Sequence, residues 1–466
     1  MRHYIILITY ITFMKRRDFL TTSAGFIAFM TLSGAYRIQK AKSVPKSIKF
    51  RDYQTNTSFG KVKIVTPNDG YYIHTFFDVC PFSPSQNFLA INKLPYQGKD
   101  ARYGDVCDIC IIDLENETIE KVYSTKGWGY QLGANLNWGK TDRYIYTNDI
   151  IDNQAVCVRI DLQTKEVKAY CGPMYHIAPD ESTVIEFPLD TINVTQMGYG
   201  VPKFKEYDNI IGAPTNQGLW QTNLKTNRKK LMVSLDDVLQ HADDPKYFKG
   251  SNCYFFYSKY NRQGTRIFQV MRCLFPEADI SSKNSVNPDH TKEGWNPMLF
   301  TFNADGTNIK QTVTRSQWSF GGNHPNWHPD GEHIIMNIKP GWLGDTNMRF
   351  SMFHYSGNEY KILSHKHKGT GHPSVNADFT YLLSDYYVDE YKAHGLDGAP
   401  IRLINLTTDE EVYICTVFTD VDSNNETFRI DPHPVWSHDY KKVCFNGAPE
   451  GKRQVFIADL TEVLKK

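Results

Sequence analysis

Residues 324–331 read HPNWHPDG and stand directly before the apolar run EHIIMN, and residues 433–439 read HPVWSHD before KKVCFN. In both, an aromatic residue precedes a turn, and the turn precedes a strand-like run. Five weaker copies of this phrase occur elsewhere, with an aromatic or aliphatic anchor at the equivalent place. The seven anchors are Phe82, Trp138, Ile177, Tyr260, Trp327, Val375 and Trp436. The chain therefore contains seven copies of one structural repeat.

The spacing of the anchors predicts the fold. They lie 39 to 83 residues apart, and repeats of roughly 40–50 residues that each supply a few strands are typical of a β-propeller. Larger spacings predict inserted loops, where propellers usually carry function. Aromatic residues make up 14% of the chain, which favours sheet over helix. The sequence predicts an all-β fold, a seven-bladed β-propeller over residues 46–466.

The N-terminal residues 1–45 are set apart from this fold. Residues 15–20 read KRRDFL, and the apolar run AGFIAFMTLSGA follows at 24–35. Paired arginines before a modest apolar run resemble a twin-arginine export signal. An N-terminal membrane anchor is the alternative, and translation beginning at Met14 would explain the apolar residues ahead of the arginines. We expect an exported protein, periplasmic or secreted, with no further segment long enough to span a bilayer.

Composition narrows the possible partners. The 466 residues carry a formal net charge of +1, so nothing indicates binding to nucleic acid. The nine cysteines are an odd number and are scattered, which predicts no disulfide framework. Cys107 and Cys110 have the spacing of a zinc or redox pair, but positions three apart on a strand face opposite sides. We expect both to be buried structural residues.

The register of the repeats predicts a site. The residues three positions before the anchors are Val79, Asn135, Met174, Tyr257, His324, His372 and His433. Equivalent positions of neighbouring blades converge at one mouth of the channel, so the three histidines of the last three blades should meet. Converging imidazoles suit a divalent metal such as Mn or Zn, and Asp431 could add a carboxylate that favours Mn. The alternative is that these histidines bond to backbone turns or bind an anionic substrate directly.

Other polar residues are candidates for the same mouth. They are His74 and Asp78 before the first anchor, Tyr199 in a Gly-Tyr-Gly turn, Arg272 at a strand end, and Arg429 before the last His-Pro. Each has a structural alternative: Tyr199 could be simple loop packing and Arg429 a structural clamp. No serine-hydrolase elbow, phosphate-binding loop or dinucleotide fingerprint occurs in a credible context. What remains is binding, or chemistry by Tyr, His, Arg and a metal.

The motifs of the last three blades resemble those of propeller polysaccharide lyases, the oligogalacturonate lyases and the seven-bladed ulvan lyases. The resemblance covers about residue 60 to the C-terminus. It implies metal ligation by the histidines of the His-Pro turns, with an arginine as the proposed base in oligogalacturonate lyases. It therefore implies a metal at His324, His372 and His433. The resemblance further implies catalytic roles for Tyr199, Tyr257 and Arg272, which match the family's catalytic residues only by their approximate positions in the chain. We expect substrate binding at His74, Asn135 and Arg429.

The activity that this resemblance implies is β-elimination at a uronic acid of an anionic polysaccharide or oligosaccharide. A cation must neutralise the carboxylate, a base must reach the C5 proton, and an acid must protonate the leaving O4. In blade two the residues Asn135, Asn148 and Asp149 stand where ulvan lyases are expected to supply histidine. This departure supports an alternative, a non-catalytic propeller similar to TolB-type modules that binds glycan or protein.

Overall fold

The computed structural model describes residues 44–54, 59–203, 212–275, 296–419, 429–462 and 464. They form seven antiparallel sheets of four or five strands and belong to the compact unit Ala35–Lys466. The predicted all-β, seven-bladed propeller is confirmed. The export signal predicted for residues 1–45 lies almost wholly outside the described residues.

The first four blades follow one another along the chain, and strand β1 (Lys46–Ser47) adds to the outer edge of blade one. Blade one comprises β4 (Tyr71–Ile73), β5 (Phe88–Leu94), β6 (Cys107–Asp113) and β7 (Thr118–Thr125). Blade two comprises β8 (Asn137–Trp138), β9 (Tyr144–Ile151), β10 (Gln154–Asp161) and β11 (Val167–Ala169). Blade three comprises β12 (His176–Ile177), β13 (Thr183–Glu186), β14 (Gly218–Asn223) and β15 (Arg228–Ser234). Blade four comprises β16 (Asn252–Tyr260), β17 (Arg266–Leu274), β18 (Met298–Asn303) and β19 (Lys310–Val313).

The last three blades complete the ring. Blade five comprises β20 (Gly322–Trp327), β21 (His333–Ile338), β22 (Arg349–His354) and β23 (Tyr360–Ile362). Blade six comprises β24 (Ser374–Val375), β25 (Tyr381–Asp385), β26 (Ala399–Asn405) and β27 (Glu410–Val417). Blade seven comprises β28 (Val435–Trp436), β29 (Lys442–Gly447) and β30 (Gln454–Asp459), with β3 (Lys61–Ile64) and β2 (Arg51–Asp52). The short helices are α1 (Leu235–Leu239), α2 (Arg315–Trp318) and α3 (Val388–Ala393), with 3-10 turns at Ile192–Val194, Pro245–Phe248 and Gly341–Leu343.

The ring of blades is closed by pairing between strands from the two ends of the described chain. Strand β3 pairs antiparallel with β30, with Lys61 opposite Asp459 and Ile64 opposite Phe456. Val62 and Ile64 point into the core of blade seven, whereas the alternate residues Lys61 and Lys63 are exposed. An N-terminal strand therefore completes the last blade.

The anchors read from the sequence end the first strand in six of the seven blades. The turn after each of these strands is five residues long: 139–143, 178–182, 261–265, 328–332, 376–380 and 437–441. In blade one, Phe82 instead forms an isolated bridge with Leu89. These constant turns lie at one mouth of the channel and are the reason why the repeat is visible in the sequence.

The opposite mouth carries the variable connections. In an antiparallel blade the second strand ends and the third begins at this mouth, where the first strand also begins. Long connections join the second and third strands here in five blades: 95–106, 187–217, 275–297, 339–348 and 386–398. His372 and His433 lie just before the first strands of blades six and seven, and His324 lies near the start of β20, so all three are at this same mouth. The long connections therefore begin and end at the mouth where the aligned histidines lie.

Apolar side chains fill the spaces between the blades. The largest buried cluster packs blades three, four and five together and includes Phe268, Phe300 and Ile334, all 0% exposed. Cys107 and Cys110 are both buried but belong to two different clusters, which places them on opposite faces of their strand. No helix among the described residues combines the length and the apolar character needed to cross a bilayer.

Candidate functional site

The histidines of the last three blades meet at the mouth that carries the long loops. The ring centroids of His324 and His372 lie 4.1 Å apart, and those of His372 and His433 lie 4.4 Å apart. His372 and His433 are each 1% exposed, while His324 is partly exposed. The three metal ligands predicted from the sequence are thus brought together, although His324 occupies the more open edge.

A shared backbone distortion directs these side chains. Four of the seven in-register positions have a positive φ, which residues other than glycine seldom adopt. The φ angles are 52° at Asn135, 73° at Tyr257, 52° at His324 and 48° at His433. In blades four and five the pairing register also shifts at Tyr257 and His324, the mark of a β-bulge, which re-aims a side chain.

In blade six a glycine takes the distorted conformation. Gly371 has a φ of 66°, and a β-carbon there would overlap the backbone and the carboxylate of Asp385. This close approach lets Asp385 accept two hydrogen bonds from His372: one from the backbone NH at 2.7 Å and one from Nδ1 at 2.9 Å. Nδ1 therefore carries the proton, and Nε2 of His372 presents a lone pair, the arrangement of a metal-binding histidine oriented by a carboxylate.

Asp431 lies close to His372 and His433, the more buried two of the three in-register histidines. One ligand atom from each of His372, Asp431 and His433 lies within 4.8 Å of the other two. Arg429 donates from Nε to Oδ1 of Asp431 at 2.8 Å. The other oxygen, Oδ2, and both ring nitrogens of His433 have no hydrogen-bond partner among the described residues. Two buried imidazoles and a buried carboxylate oxygen form a donor set that fits a borderline divalent cation. Asp385 orients His372, whereas the nitrogens of His433 and Oδ2 of Asp431 are left for a ligand.

Burial favours the neutral form of the His433 and His74 imidazoles. Burial, and then the neighbouring imidazoles of His372 and His74, lower the pKa of His433. Burial likewise lowers the pKa of His74 to about 4. Neutral imidazole is the form that binds metals. The imidazole of His433 is therefore in the form that can ligate a metal.

A segment of blade one crosses the channel beside the cluster. The ring of His74 lies 6.5 Å from that of His433 and faces the backbone of residues 432–433, but neither ring nitrogen reaches hydrogen-bonding geometry with a described residue. Phe76 lies 4.6 Å from the His433 ring, and Phe77 lies 5.1 Å from the His372 ring. This segment supplies a fourth imidazole and an apolar wall that excludes water from one side of the cluster.

His324 is held by a second set of contacts. Its Nδ1 lies 2.8 Å from the carbonyl oxygen of Gly371, and the hydroxyl of Tyr387 lies 3.0 Å from the same nitrogen. Tyr387 also packs edge-on against His372, with ring centroids 5.6 Å apart. His324 is therefore the outer member of the cluster, positioned by blade six.

Tyr199 and Arg272 reach the same region from blades three and four. The Tyr199 ring packs edge-on against Phe256 with centroids 5.3 Å apart, and the Arg272 guanidinium lies 4.6 Å from the same ring. Burial and then the charge of Asp431 raise the pKa of Tyr199 to about 12. Arg429 and Arg272 act in the opposite direction on that pKa. Phe256 thus contacts both a phenol and a guanidinium, and the phenol is close enough to Asp431 to be affected by its charge.

Tyr257 lies deeper. Its hydroxyl donates to Oδ2 of Asp78 at 2.6 Å, and the ammonium of Lys259 lies 3.1 Å from the same oxygen. Tyr257 is 3% exposed, and burial and the Asp78 charge raise its pKa. This residue, predicted as catalytic, is part of a buried ion-pair network that ties blade four to blade one.

The predicted substrate-binding residues lie in different environments. Asn135 is 5% exposed and donates both amide hydrogens to the carbonyl oxygens of Met174 and Tyr175, each at 2.8 Å. Arg429 keeps a third of its side chain exposed while it holds Asp431. Asn135 therefore links blades two and three, whereas Arg429 stands between the cluster and the solvent.

Sequence reasoning missed three residues of the site. Asp385 orients His372, Tyr387 contacts His324, and Phe76 covers His433. Asp385 and Tyr387 follow a strand of blade six in the phrase SDYY. A polar run at the end of a second strand was the signal that could have found them, because second strands end at the mouth where first strands begin.

The fold and the site define a seven-bladed propeller with a buried imidazole and carboxylate cluster at one mouth. Oligogalacturonate lyase in complex with manganese has a similar structure, with a TM-score of 0.63 and 16% identity over 92% of this chain and 100% of the other. An oligogalacturonate lyase from Vibrio parahaemolyticus has a TM-score of 0.61 and 15% identity, over 91% of this chain and 100% of the other. TolB from Acinetobacter baumannii has a TM-score of 0.38 and 11% identity, over 82% of this chain and 80% of the other. No protein-family profile matches the chain, and no curated protein sequence is significantly similar to it.

Proposed function

We propose that this protein is a polysaccharide lyase that cleaves a uronate-containing anionic glycan by β-elimination. One observation carries the proposal: a buried cluster of His372, His433 and Asp431, in which His433 and one oxygen of Asp431 lack hydrogen-bond partners among the described residues, lies near Tyr199 and Arg272 at the loop-bearing mouth. The fold shared with two oligogalacturonate lyases supports it. Substrates of the oligogalacturonide or the ulvan type fit this chemistry.

His372, His433 and Asp431 would hold a divalent cation, with His324 and His74 beside them. Manganese and zinc both accept two imidazoles and a carboxylate. When bound, such a cation supplies positive charge to a uronate carboxylate and so stabilises the negative charge that develops at C5. The manganese in the similar lyase structure supports manganese as the first choice to test.

The surrounding side chains would transfer the two protons and bind the sugar. In β-elimination the C5–H bond and the C4–O4 bond break, a C4–C5 double bond forms, and O4 takes up a proton. Tyr199, whose pKa is raised to about 12, is protonated at neutral pH, and we assign to it the proton that reaches O4. Arg272, which contacts the same Phe256 ring as Tyr199, is the residue we assign to the C5 proton; it would accept that proton as the neutral guanidine and become the guanidinium. Arg429, held by Asp431, would bind the anionic sugar from the solvent side.

The direct test follows the absorbance of the new C4–C5 double bond when the protein, replete with manganese, is mixed with oligogalacturonides or ulvan. Tyr199→Phe and Arg272→Ala should each lower kcat by roughly 10²–10⁴-fold, while the bound metal stays unchanged. Tyr413→Phe, on the outer strand of blade six, is the matched control and should retain full activity. Absence of the signal on every uronate glycan with folded, metal-loaded protein would refute the proposal.

A non-catalytic propeller that binds glycan or protein is the second candidate. The structural use of Asn135 in blade two favours it, because that blade contributes no imidazole at this position. Glycan binding without turnover, unaffected by Tyr199→Phe, would establish this reading.

We also propose that the protein is exported, because polymeric uronate glycans occur outside the cytoplasm. Residues 15–35 would direct the protein there through a twin-arginine-like signal. Fractionation of cells that express the full chain tests this, with Arg16→Lys/Arg17→Lys as the variant that should retain the protein in the cytoplasm.

A further inference from the structure

A basic cavity opens beside the histidine cluster, between blades five and six. Its volume is about 750 Å³, within the range of roughly 300–1,000 Å³ that is common for ligand sites. Its wall includes four cations: Lys339, Arg349, Lys366 and Lys368. Its position follows from the topology, because the connection 339–348 and the segment 363–370 both emerge at the mouth where the first strands begin.

The charges in this cavity are only partly compensated. Arg349 donates to Asp345 at 2.8 Å, and Lys368 donates to Glu390 at 2.8 Å. Lys339 and Lys366 make no ion pair within the part of the chain that the structure describes, and Glu390 is the one acidic residue among the described residues of the wall. The cavity therefore carries two uncompensated positive charges, which favour an anionic occupant.

The cavity meets the candidate active site at its inner end. Tyr387 lines the cavity and lies 3.0 Å from Nδ1 of His324. Asn323 and Thr370, also in the wall, directly precede His324 and the Gly371–His372 pair in the chain. A glycan with one sugar at the cluster would have its next sugars at this opening.

We propose that the cavity is a distal subsite that binds an acidic group, a uronate carboxylate or a sulfate ester, on a sugar that is not the one cleaved. Lys339 and Lys366 bind that group, while Arg349 and Lys368 are held in place by their acidic partners. This inference rests on the proposed function for its substrate class. It predicts that the protein prefers chains long enough to occupy both the cluster and the cavity.

The experiment measures binding and cleavage separately for the unaltered protein, for Lys339→Ala/Lys366→Ala, and for the control Lys225→Ala/Lys249→Ala, which removes two exposed lysines of blades three and four. The probes are oligogalacturonides of two to eight residues, which carry only carboxylates, and sulfated ulvan oligosaccharides. Calorimetric Kd values report binding, and the double-bond absorbance reports cleavage. Circular dichroism verifies folding, and the single variant Lys366→Ala, at an exposed position, is measured in parallel.

The cavity variant should bind the longer oligosaccharides about tenfold more weakly, which corresponds to a loss of about 1.4 kcal/mol for the two charged contacts together. Binding of the shortest chains and the control variant should be unchanged. Loss confined to sulfated probes would assign the subsite to sulfate, and loss on both probes to carboxylate. Equal affinity of the cavity and control variants for every length would overturn the subsite. Length-dependent loss of binding without any cleavage would uphold the subsite and refute only the lyase proposal.

Discussion

At the scale of single residues, the site is a set of buried polar atoms that protein contacts leave unsatisfied. Both ring nitrogens of His433 and one oxygen of Asp431 have no partner among the described residues. Each such group costs about 1–3 kcal/mol when it is left buried and unpaired. A structure retains such a cost where a ligand offsets it, which is the physical argument for a cation here.

Replacing His433 by alanine tests that argument. We expect His433→Ala to abolish stoichiometric binding of manganese, because it removes one of the three clustered donors. The measurement is elemental analysis of protein dialysed against manganese, with circular dichroism to verify folding. The control is His241→Ala, an exposed histidine outside the cluster. Full manganese content in folded His433→Ala protein would contradict this assignment.

A substitution at Tyr257 distinguishes a structural role of this residue from a catalytic one. We expect Tyr257→Phe to lower the free energy of unfolding by about 1–2 kcal/mol, because Asp78 loses a buried hydrogen bond. Activity of the folded protein should persist, since Lys259 still pairs with Asp78. Urea denaturation and the lyase assay measure the two effects. Unchanged stability with lost turnover would instead return Tyr257 to the catalytic residues.

At the scale of elements, the site depends on a distortion repeated at the start of the first strands. Positive φ angles at His324 and His433 and bulges at Tyr257 and His324 turn these side chains towards the channel. Such strained conformations persist where the surrounding structure compensates for them. Here the compensation comes from neighbouring blades, as when Gly371 accepts hydrogen bonds from both His324 and Asn337.

Gly371 gives a test at this scale. Gly371→Ala should unfold more easily than the unaltered protein and lose affinity for manganese, because its β-carbon would displace Asp385 from His372. Gly395→Ala is the matched control, since Gly395 has a nearly equal φ of 69° but open space around it. The control should lose only about 1 kcal/mol, the cost of a positive φ. Thermal denaturation and metal titration compare the two, and equal behaviour would exclude a role for the Gly371–Asp385 contact.

At the scale of the whole molecule, stability depends on the closure of the ring by β3. Val62 and Ile64 are 5% and 4% exposed and pack in the core of blade seven. Because these residues join two distant parts of the chain, their contacts hold the last blade in register with the first.

Changing the buried face of β3 should therefore be costly. We expect Val62→Ala/Ile64→Ala to lower the free energy of unfolding by several kcal/mol, given about 2–5 kcal/mol for each large aliphatic residue truncated in a core. Lys61→Ala/Lys63→Ala changes the same strand on its exposed face and should have little effect. Chemical denaturation of both variants makes the comparison. Equal stability would show that the strand does not close the ring.

Much of the fold could be predicted from the sequence. The anchors Trp138, Ile177, Tyr260, Trp327, Val375 and Trp436 each end a first strand. They were recognisable because the turn that follows is local and keeps a length of five residues. The convergence of His372 and His433 follows from the same local register. Their neighbours Asp385 and Phe76 did not stand out, because each approaches from another strand or another blade.

The sequence by itself determined the seven blades, their order and the mouth at which the histidines gather, since turns and strand patterns are short-range properties of the chain. Only the tertiary structure decided which polar groups are satisfied. It paired Tyr257 with Asp78 and bonded Asn135 to backbone carbonyls. Among the described residues it left the ring nitrogens of His433 and Oδ2 of Asp431 without a hydrogen-bond partner. The physical reason is that burial and hydrogen bonding at the channel depend on contacts between blades, and those contacts come from residues far apart in the chain.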